Sequence, residues 1–381
     1  MDFAWTEEQT QLREAILKFG RQELKSNLID LDRTHAFDLE AWRKCATFGI
    51  HGLPIPEPYG GHGADVLTTV YALETLGYVC RDNGLVFSIN AHMWTCEIPV
   101  LTFGTEEQKQ KFLPKLCSGE WIGGNAMTEA GSGSDAYSLR MTAERREDRY
   151  ILNGSKMFVT NGPVADVLVV YANVNPAKGA SGVTAFLVER GFSGFSISPK
   201  MEKMGLRTSP MAELVLDNCE VPVENRLGKE GTGVALFTLS MEWERSCILA
   251  SAIGAMDRQL ETCVRYARER KQFGKPIGKF QMVADKIVNM KLRLETARLL
   301  LYKVAWLRKT QRFVLLEAAM TKLHISESWV ESCLDAIQIH GGYGYMTEFE
   351  MERELRDSLG SKLYSGTSEI QRLIIAQMMR L

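Results

Sequence analysis

The sequence predicts an α+β chain in three parts: a helical N-terminal domain (1–120), a central β domain (121–230) and a C-terminal helical bundle (231–381). Three observations lead there. The chain has 381 residues, more than one hydrophobic core usually serves. Near Trp121 the pattern changes from helical spacing to short β-rich runs between Gly and Asn turns. After Gly231-Thr232-Gly233 long stretches of helical character resume and continue to the end.

The first helix opens at Thr6, a capping residue with Gln9 three positions on, and Leu12, Ile16 and Phe19 follow at helical spacing. Leu53-Pro54-Ile55-Pro56-Glu57-Pro58-Tyr59-Gly60-Gly61 reads as a rigid turn region, and Pro99, Gly104 and Pro114 punctuate later helices. In the middle, Tyr150-Ile151-Leu152 precedes an Asn153-Gly154 turn, and Met157-Phe158-Val159 precedes Asn161-Gly162. Val167–Tyr171, Thr184–Val188 and Glu213–Leu216 read as further strands, so a sandwich or barrel is expected rather than a βαβ fold. The last third reads as one helix from Val234 to about Glu269, a second from Gln281 to Leu307 and a third from Val314 to Ile339. Helices this long pack in a bundle or at a subunit interface.

Composition narrows the function classes. The net charge of -2 implies no general attraction to nucleic acid or to an anionic membrane. No apolar run reaches the length of a membrane span, and the start of the chain lacks a signal-peptide pattern, so a cytoplasmic protein is expected. The eight cysteines form no CxxC pair and are expected to be reduced and mostly buried. The six histidines form no ligand-spaced cluster, so no metal site is expected.

Four segments carry candidate chemistry. Met127-Thr128-Glu129-Ala130-Gly131-Ser132-Gly133-Ser134-Asp135 is either a plain polar loop or one whose free N–H groups wrap a polar cofactor edge. Lys156–Gly162 is a strand with Phe158 and Thr160 on one face by period two, equally readable as a core Phe and an edge Thr. Arg268–Ile277 places four cations within eight residues, which suits a helix C-terminus. Gln338-Ile339-His340-Gly341-Gly342 ends a helix, either as a glycine cap or as a close backbone approach to a phosphate or flavin.

Taken in order, with Tyr364-Ser365-Gly366-Thr367-Ser368 near the end, these segments resemble the acyl-CoA dehydrogenase superfamily over nearly the whole chain. Ala130 stands where the family usually has Pro, and Phe158 where it usually has Trp. The resemblance implies FAD, a helix–β–helix subunit with a C-terminal four-helix bundle, and a homotetramer. It implies that Met127, Thr128 and Ser134 line the flavin, with Phe158 and Thr160 beside the ring. Arg270, Phe273 and Gln281 would reach the FAD of a neighbouring subunit, Gln338, Gly341 and Gly342 its pyrophosphate region, and Thr367 and Glu369 its other end. Ser134, Arg245, Tyr364 and Ser365 become substrate-binding positions.

The family's usual base is a Glu where this chain has Ser365, and a neutral hydroxyl is a very poor base at pH 7. Glu244 is the replacement candidate. Phe237, Met241, Glu244 and Ile248 share one helical face, and a carboxylate on such a stripe raises its pKa unless it is paired. Ser240, Met241, Cys247 and Ile248, its helical neighbours, offer no cation, while Glu242 is expected to pair with Arg245. From the helix alone, an exposed Glu or a bundle salt bridge stays open. A minority of the superfamily, including isovaleryl-CoA dehydrogenases, resembles this chain in placing its base here.

Trp243-Glu244-Arg245, Tyr364-Ser365-Gly366-Thr367-Ser368 and Met290–Leu301 further resemble the prolyl-carrier-protein dehydrogenases, or oxidases. The substrate implied is an L-prolyl thioester on a carrier protein: Glu244 takes the α-proton, and the β-hydride passes to flavin N5. A short or branched acyl-CoA is the alternative substrate. The electron acceptor, an electron-transfer flavoprotein or oxygen, stays open.

Overall fold

A computed structural model of the chain describes residues 4–25, 27–310 and 313–381. The N-terminal part contains α1 (Glu7–Glu23), α2 (Leu28–Thr34), α3 (Leu39–Phe48), α4 (Val66–Val79), α5 (Asn83–His92), α6 (Ile98–Phe103) and α7 (Glu106–Cys117). Side-chain oxygens of Thr6, Asn27, Asp38, Asp65, Asp82 and Thr105 cap six of these helices, and Thr6 with Gln9 forms the expected capping box. A π-helical turn, Met93–Glu97, joins α5 to α6.

The middle part holds β1 (Gly123–Ala126), β2 (Thr142–Arg146), β3 (Arg149–Thr160), β4 (Val167–Asn173), β5 (Val183–Glu189), β6 (Phe195–Ile197), β7 (Met211–Pro222) and β8 (Arg226–Leu227). They form one sheet in the order β6-β7-β3-β2-β4-β5-β8, with β1 parallel to β4. Asn153-Gly154 makes no turn. The pair is absorbed as an irregularity within the 12-residue β3, where Gly154 takes φ +142° and the chain continues straight on. All seven residues of β4 are buried. Leu168, Val170 and Ala172 join the apolar core inside the β part, while Val167, Val169 and Tyr171 face the helical core. Burial on both faces explains why this strand reads as a continuous apolar run.

The C-terminal part is α8 (Gly233–Cys247), α9 (Ala250–Glu269), a short hairpin of β9 (Lys271–Gln272) and β10 (Lys275–Pro276), α10 (Gln281–Thr310), α11 (Leu315–His340), α12 (Met351–Gly360) and α13 (Ser368–Met378). Helices α8 to α11 pack on one another, and α12 and α13 lie against α11. The single helix expected over Val234–Glu269 is broken at Ile248-Leu249, where the chain tightens into a turn. Beyond the break α9 meets α4 backbone to backbone. A Cβ added at Gly77 would lie 2.1 Å from the Ser251 carbonyl oxygen, and one at Gly254 would lie 2.0 Å from that of Glu74.

Buried polar contacts join the three parts. Asn161 donates to the carbonyls of Ser88 and Gly123, and the hydroxyls of Ser88 and Ser209 lie 2.7 Å apart. Asn83 donates to Glu354 and Asp357, and Asp357 accepts from the Leu206 N–H at 2.6 Å. Burial pushes the Asp357 carboxyl up to about 7. All eight cysteines are free and buried. Among the described residues no helix is long and apolar enough to cross a membrane.

Candidate active site

Glu244 lies on the inward face of α8, 7% exposed, with Met241 and Ile248 buried beside it. Its partner comes from a distant turn: the Ser365 hydroxyl donates to Glu244 Oε1 at 2.5 Å. Burial raises the Glu244 carboxyl above the usual carboxylate range, while the Ser365 hydrogen bond and the charges of Arg245 and Lys322 hold that rise in check. The carboxylate is therefore not unpartnered, although none of its partners is a helical neighbour.

The turn that carries Ser365 is held from several sides. Arg245 Nε donates to the Ser365 carbonyl at 2.9 Å, and Gln371 Nε2 donates to the carbonyls of Ser365 and Gly366. Lys322 Nζ donates to the Gly366 carbonyl at 2.8 Å. These bonds hold Ser365 at φ +57°, a conformation uncommon for a residue with a side chain. Among the described residues no carbonyl accepts from the Ser365 N–H. Tyr364 packs its ring on Phe87 at 4.6 Å. Arg245 does not pair with Glu242: that carboxylate binds Arg308 at 2.7 Å and the Val314 N–H at 3.1 Å, because α10 and the start of α11 reach it from inside the bundle.

Lys322 and Gln371 escape the sequence reading. Lys322 sits on α11 between the buried Ala318 and Ile325. This is a charge on an apolar stripe, the same signal that singles out Glu244.

The loop after β1 has its own buried anchor. Lys156, 0% exposed, donates to the Met127 carbonyl at 3.0 Å and to Glu129 at 2.8 Å. Glu129 also accepts from the N–H groups of Arg140 and Met141, so one carboxylate ties both ends of the loop. Burial works to raise the Glu129 carboxyl, but Lys156 and the two backbone donors hold it below its usual value; Lys156 itself is lowered by burial to about 8. The register of β3 slips between Lys156 and Val159, where Phe158 takes φ +57°. Val159 turns into the core, and Phe158, 59% exposed, and the half-buried Thr160 stay on the other side. Met127 is buried, Thr128 half-buried and Ser134 exposed. Tyr137, farther along this loop, places its hydroxyl 2.8 Å from Thr238 on α8, which brings the loop to the Glu244 helix.

The remaining predicted residues gather elsewhere. Arg270 follows α9 and lies over the Tyr343 ring at 5.6 Å. With Gly341, Gly342 and His340 it lines an open groove of about 540 Å³. Gln338 is exposed beside it, Phe273 is 93% exposed on the hairpin, and Gln281 starts α10. Lys322 and Gly341 lie nineteen positions apart along α11 and its C-cap, roughly 28 Å at the α-helical rise. One chain thus keeps this groove and Glu244 at opposite ends of a helix. Thr367 caps α13 with its hydroxyl, and Glu369 is exposed in the first turn of that helix.

Three family descriptions match the chain: the acyl-CoA dehydrogenase N-terminal domain over residues 6–120, the middle domain over 124–219 and the C-terminal domain over 231–380. The chain belongs to the acyl-CoA dehydrogenase family. Like other members of this family it is a FAD-dependent oxidoreductase. It is 42% identical to an L-prolyl-[peptidyl-carrier protein] dehydrogenase of Pseudomonas fluorescens, with 100% of each chain covered. It superposes on the crystal structure of the prolyl acyl carrier protein oxidase AnaB with TM-score 0.98 and 56% identity, covering 99% of this chain and 100% of that one. A structure of PigA with FAD and proline matches with TM-score 0.97 and 40% identity, each chain fully covered. Membership gives the three-part architecture its meaning: the β part and the bundle meet where Glu244, Ser365 and the Lys156-anchored loop converge.

Proposed function

We propose that the protein oxidises an L-prolyl thioester carried on the phosphopantetheine arm of a carrier protein, with Glu244 as the base. One observation carries the assignment of the base: a buried carboxylate of raised pKa sits against the turn that presents a free N–H at Ser365. The prolyl-carrier substrates named for the Pseudomonas relative and for AnaB support the choice of thioester.

The residues present suit the cofactor. Phe158 offers an open aromatic face, and Gly131 and Gly133 leave free space where a Cβ would stand. Thr128, Ser134 and Thr160 bring hydroxyls for a polar ring edge. Met127, Thr128, Ser134, Phe158 and Thr160 would hold the flavin ring, and Thr367 and Glu369 would lie near another part of FAD. When bound, FAD supplies the acceptor for the β-hydrogen and its electron pair.

The chain's own work is proton transfer and orientation. Glu244 accepts the α-proton, and the electron pair of that C–H bond becomes the new Cα–Cβ bond as the β-hydrogen leaves. The Ser365 N–H faces the charge that develops on the thioester oxygen. Arg245, Gln371 and Lys322 keep that N–H in place by holding the two carbonyls that follow it, those of Ser365 and Gly366. The product is a dehydroprolyl thioester.

An exposed apolar face of α10 supports self-association. Val288, Leu292, Leu299 and Trp306 on α10 are exposed and recur at spacings of four, seven and seven, which is one helical face. A homotetramer built through this face lets Arg270, Phe273, Gln281, Gln338, Gly341 and Gly342 meet a neighbour's FAD. The test of function is anaerobic: prolyl-carrier protein bleaches the bound flavin, and isovaleryl-CoA does so far more slowly. The reverse order makes the protein a branched-chain acyl-CoA dehydrogenase.

A further inference from the structure

Beside Glu244 lie two buried hydroxyls that are poorly satisfied among the described residues. Tyr171 on β4 is 0% exposed and Ser240 on α8 is 1% exposed. Neither makes a hydrogen bond of good geometry among the described residues; Tyr171 has only the Ser240 hydroxyl and the Asn125 amide within looser reach. Buried hydroxyls are rarely left so, because the lost water is not replaced. Tyr171 faces Ser240 and the amide of Asn125 and senses the Glu244 charge. Its ring packs on Phe237 at 5.5 Å. Ser240 stands one helical turn before Glu244 on the same side of α8. Besides Asn125 and Glu244, the apolar ring of Phe237 borders the pair.

We infer that Tyr171 and Ser240 form a subsite for the ring nitrogen of the substrate, a secondary amine one bond from the α-carbon. The inference rests on the proposed prolyl function and deepens it. A substrate that presents its α-proton to Glu244 brings whatever is bonded to that carbon along the same face of α8. Hydroxyl oxygens accept from an ammonium and hydroxyl protons donate to a free amine, so the pair serves either protonation state. A purely aliphatic acyl chain leaves the two hydroxyls only each other and the Asn125 amide, and a site built this way discriminates against it.

The experiment measures anaerobic flavin reduction by two thioesters on the same carrier protein, one prolyl and one cyclopentanecarbonyl, which has the ring without the nitrogen. Wild-type enzyme should favour the prolyl thioester strongly. Tyr171→Phe and Ser240→Ala should each lower the prolyl rate at limiting substrate by about ten- to a hundredfold. Cyclopentanecarbonyl reduction should hold or rise, with FAD absorbance retained. An equal loss on both thioesters assigns the hydroxyls a structural role and overturns the subsite. An unchanged prolyl rate in both variants overturns it too, with ordered water as the occupant. If Tyr171→Phe loses FAD, the smaller Ser240→Ala change decides by the same comparison. A wild-type enzyme inert to prolyl thioester, yet reduced by isovaleryl-CoA, overturns the function reading and the subsite together. A wild type active on prolyl thioester confines any failure to the subsite.

Discussion

The two ends of α11 are built on opposite terms. At the Lys322 end one turn is held from several sides: Lys322, Arg245 and Gln371 take its carbonyls, and the Ser365 hydroxyl donates to the Glu244 carboxylate. At the Gly341 end the surface is open. Gly341 and Gly342 have nothing within 4 Å of where a Cβ would be, and the Arg270 guanidinium lies over the Tyr343 ring. The contrast separates two tasks. Placing a base to within a few tenths of an ångström needs a site that one chain completes during folding. The role proposed for the groove, gripping an extended cofactor from a second subunit, needs a surface that stays open until assembly.

The sharpest way to break that contrast is Glu244→Gln. Flavin reduction by substrate should fall by about 10²–10⁴-fold, the usual contribution of a positioned base, while FAD stays bound. Stability should not fall with it. The folded pKa of Glu244 is raised, so its charged form costs stability once pH exceeds the unfolded carboxylate value, and the neutral amide removes that cost. Thermal melting at pH 7 checks the second half. A variant that keeps its reduction rate removes Glu244 as the base.

Lys322→Met tests whether the turn is held as argued. It removes the charged donor from the Gly366 carbonyl, which keeps Gln371 as its other donor, and one hydrogen bond to a charged group is worth about 1.5–3 kcal/mol. If the turn yields, flavin reduction should drop by roughly ten- to a hundredfold, measured by stopped flow with FAD saturating. An unchanged rate means that Arg245 and Gln371 suffice.

Much of this was legible in the sequence, and the misses share a cause. Long helices and short strands declare themselves by period, so the three-part order and the α8 stripe that exposes Glu244 could be read directly. Contacts between distant segments could not. Ser365 and Glu244 are 121 positions apart, and nothing local says that one hydroxyl finds one carboxylate. The bulge at Phe158 and the break at Ile248-Leu249 answer packing from neighbouring elements rather than any Gly or Pro of their own. Lys156 stands in a strand whose polar neighbours hide its burial. Lys322 carried a readable signal, a charge between Ala318 and Ile325.

At the open end, Arg270→Ala should weaken FAD retention by about tenfold, the worth of one charge-assisted contact. Reduction at saturating FAD should change little, because Arg270 lies far from Glu244. Flavin content after gel filtration and the oligomeric state read together check this. Full occupancy in an unaltered oligomer removes Arg270 from cofactor binding.

The smallest effect is the most specific to the closed end. The Ser365 hydroxyl donates to the ionised form of Glu244 and so lowers its pKa. Ser365→Ala withdraws that donor and keeps the backbone N–H. As the proposed base, Glu244 works deprotonated, so activity is lost as pH falls through its pKa, and the acid limb of the rate profile marks that point. A hydrogen bond to a charged group contributes about 1.5–3 kcal/mol, and one pKa unit is about 1.36 kcal/mol. The limb should therefore move up by about one to two units in the variant. On the alkaline plateau, where Glu244 is ionised with or without the hydroxyl, the two enzymes should agree within about threefold. A limb that stays in place means that the hydroxyl does not tune the base. A loss of equal size at every pH means that Ser365 holds the turn through its side chain, and that the closed end depends on that hydroxyl for its shape and not for its proton affinity.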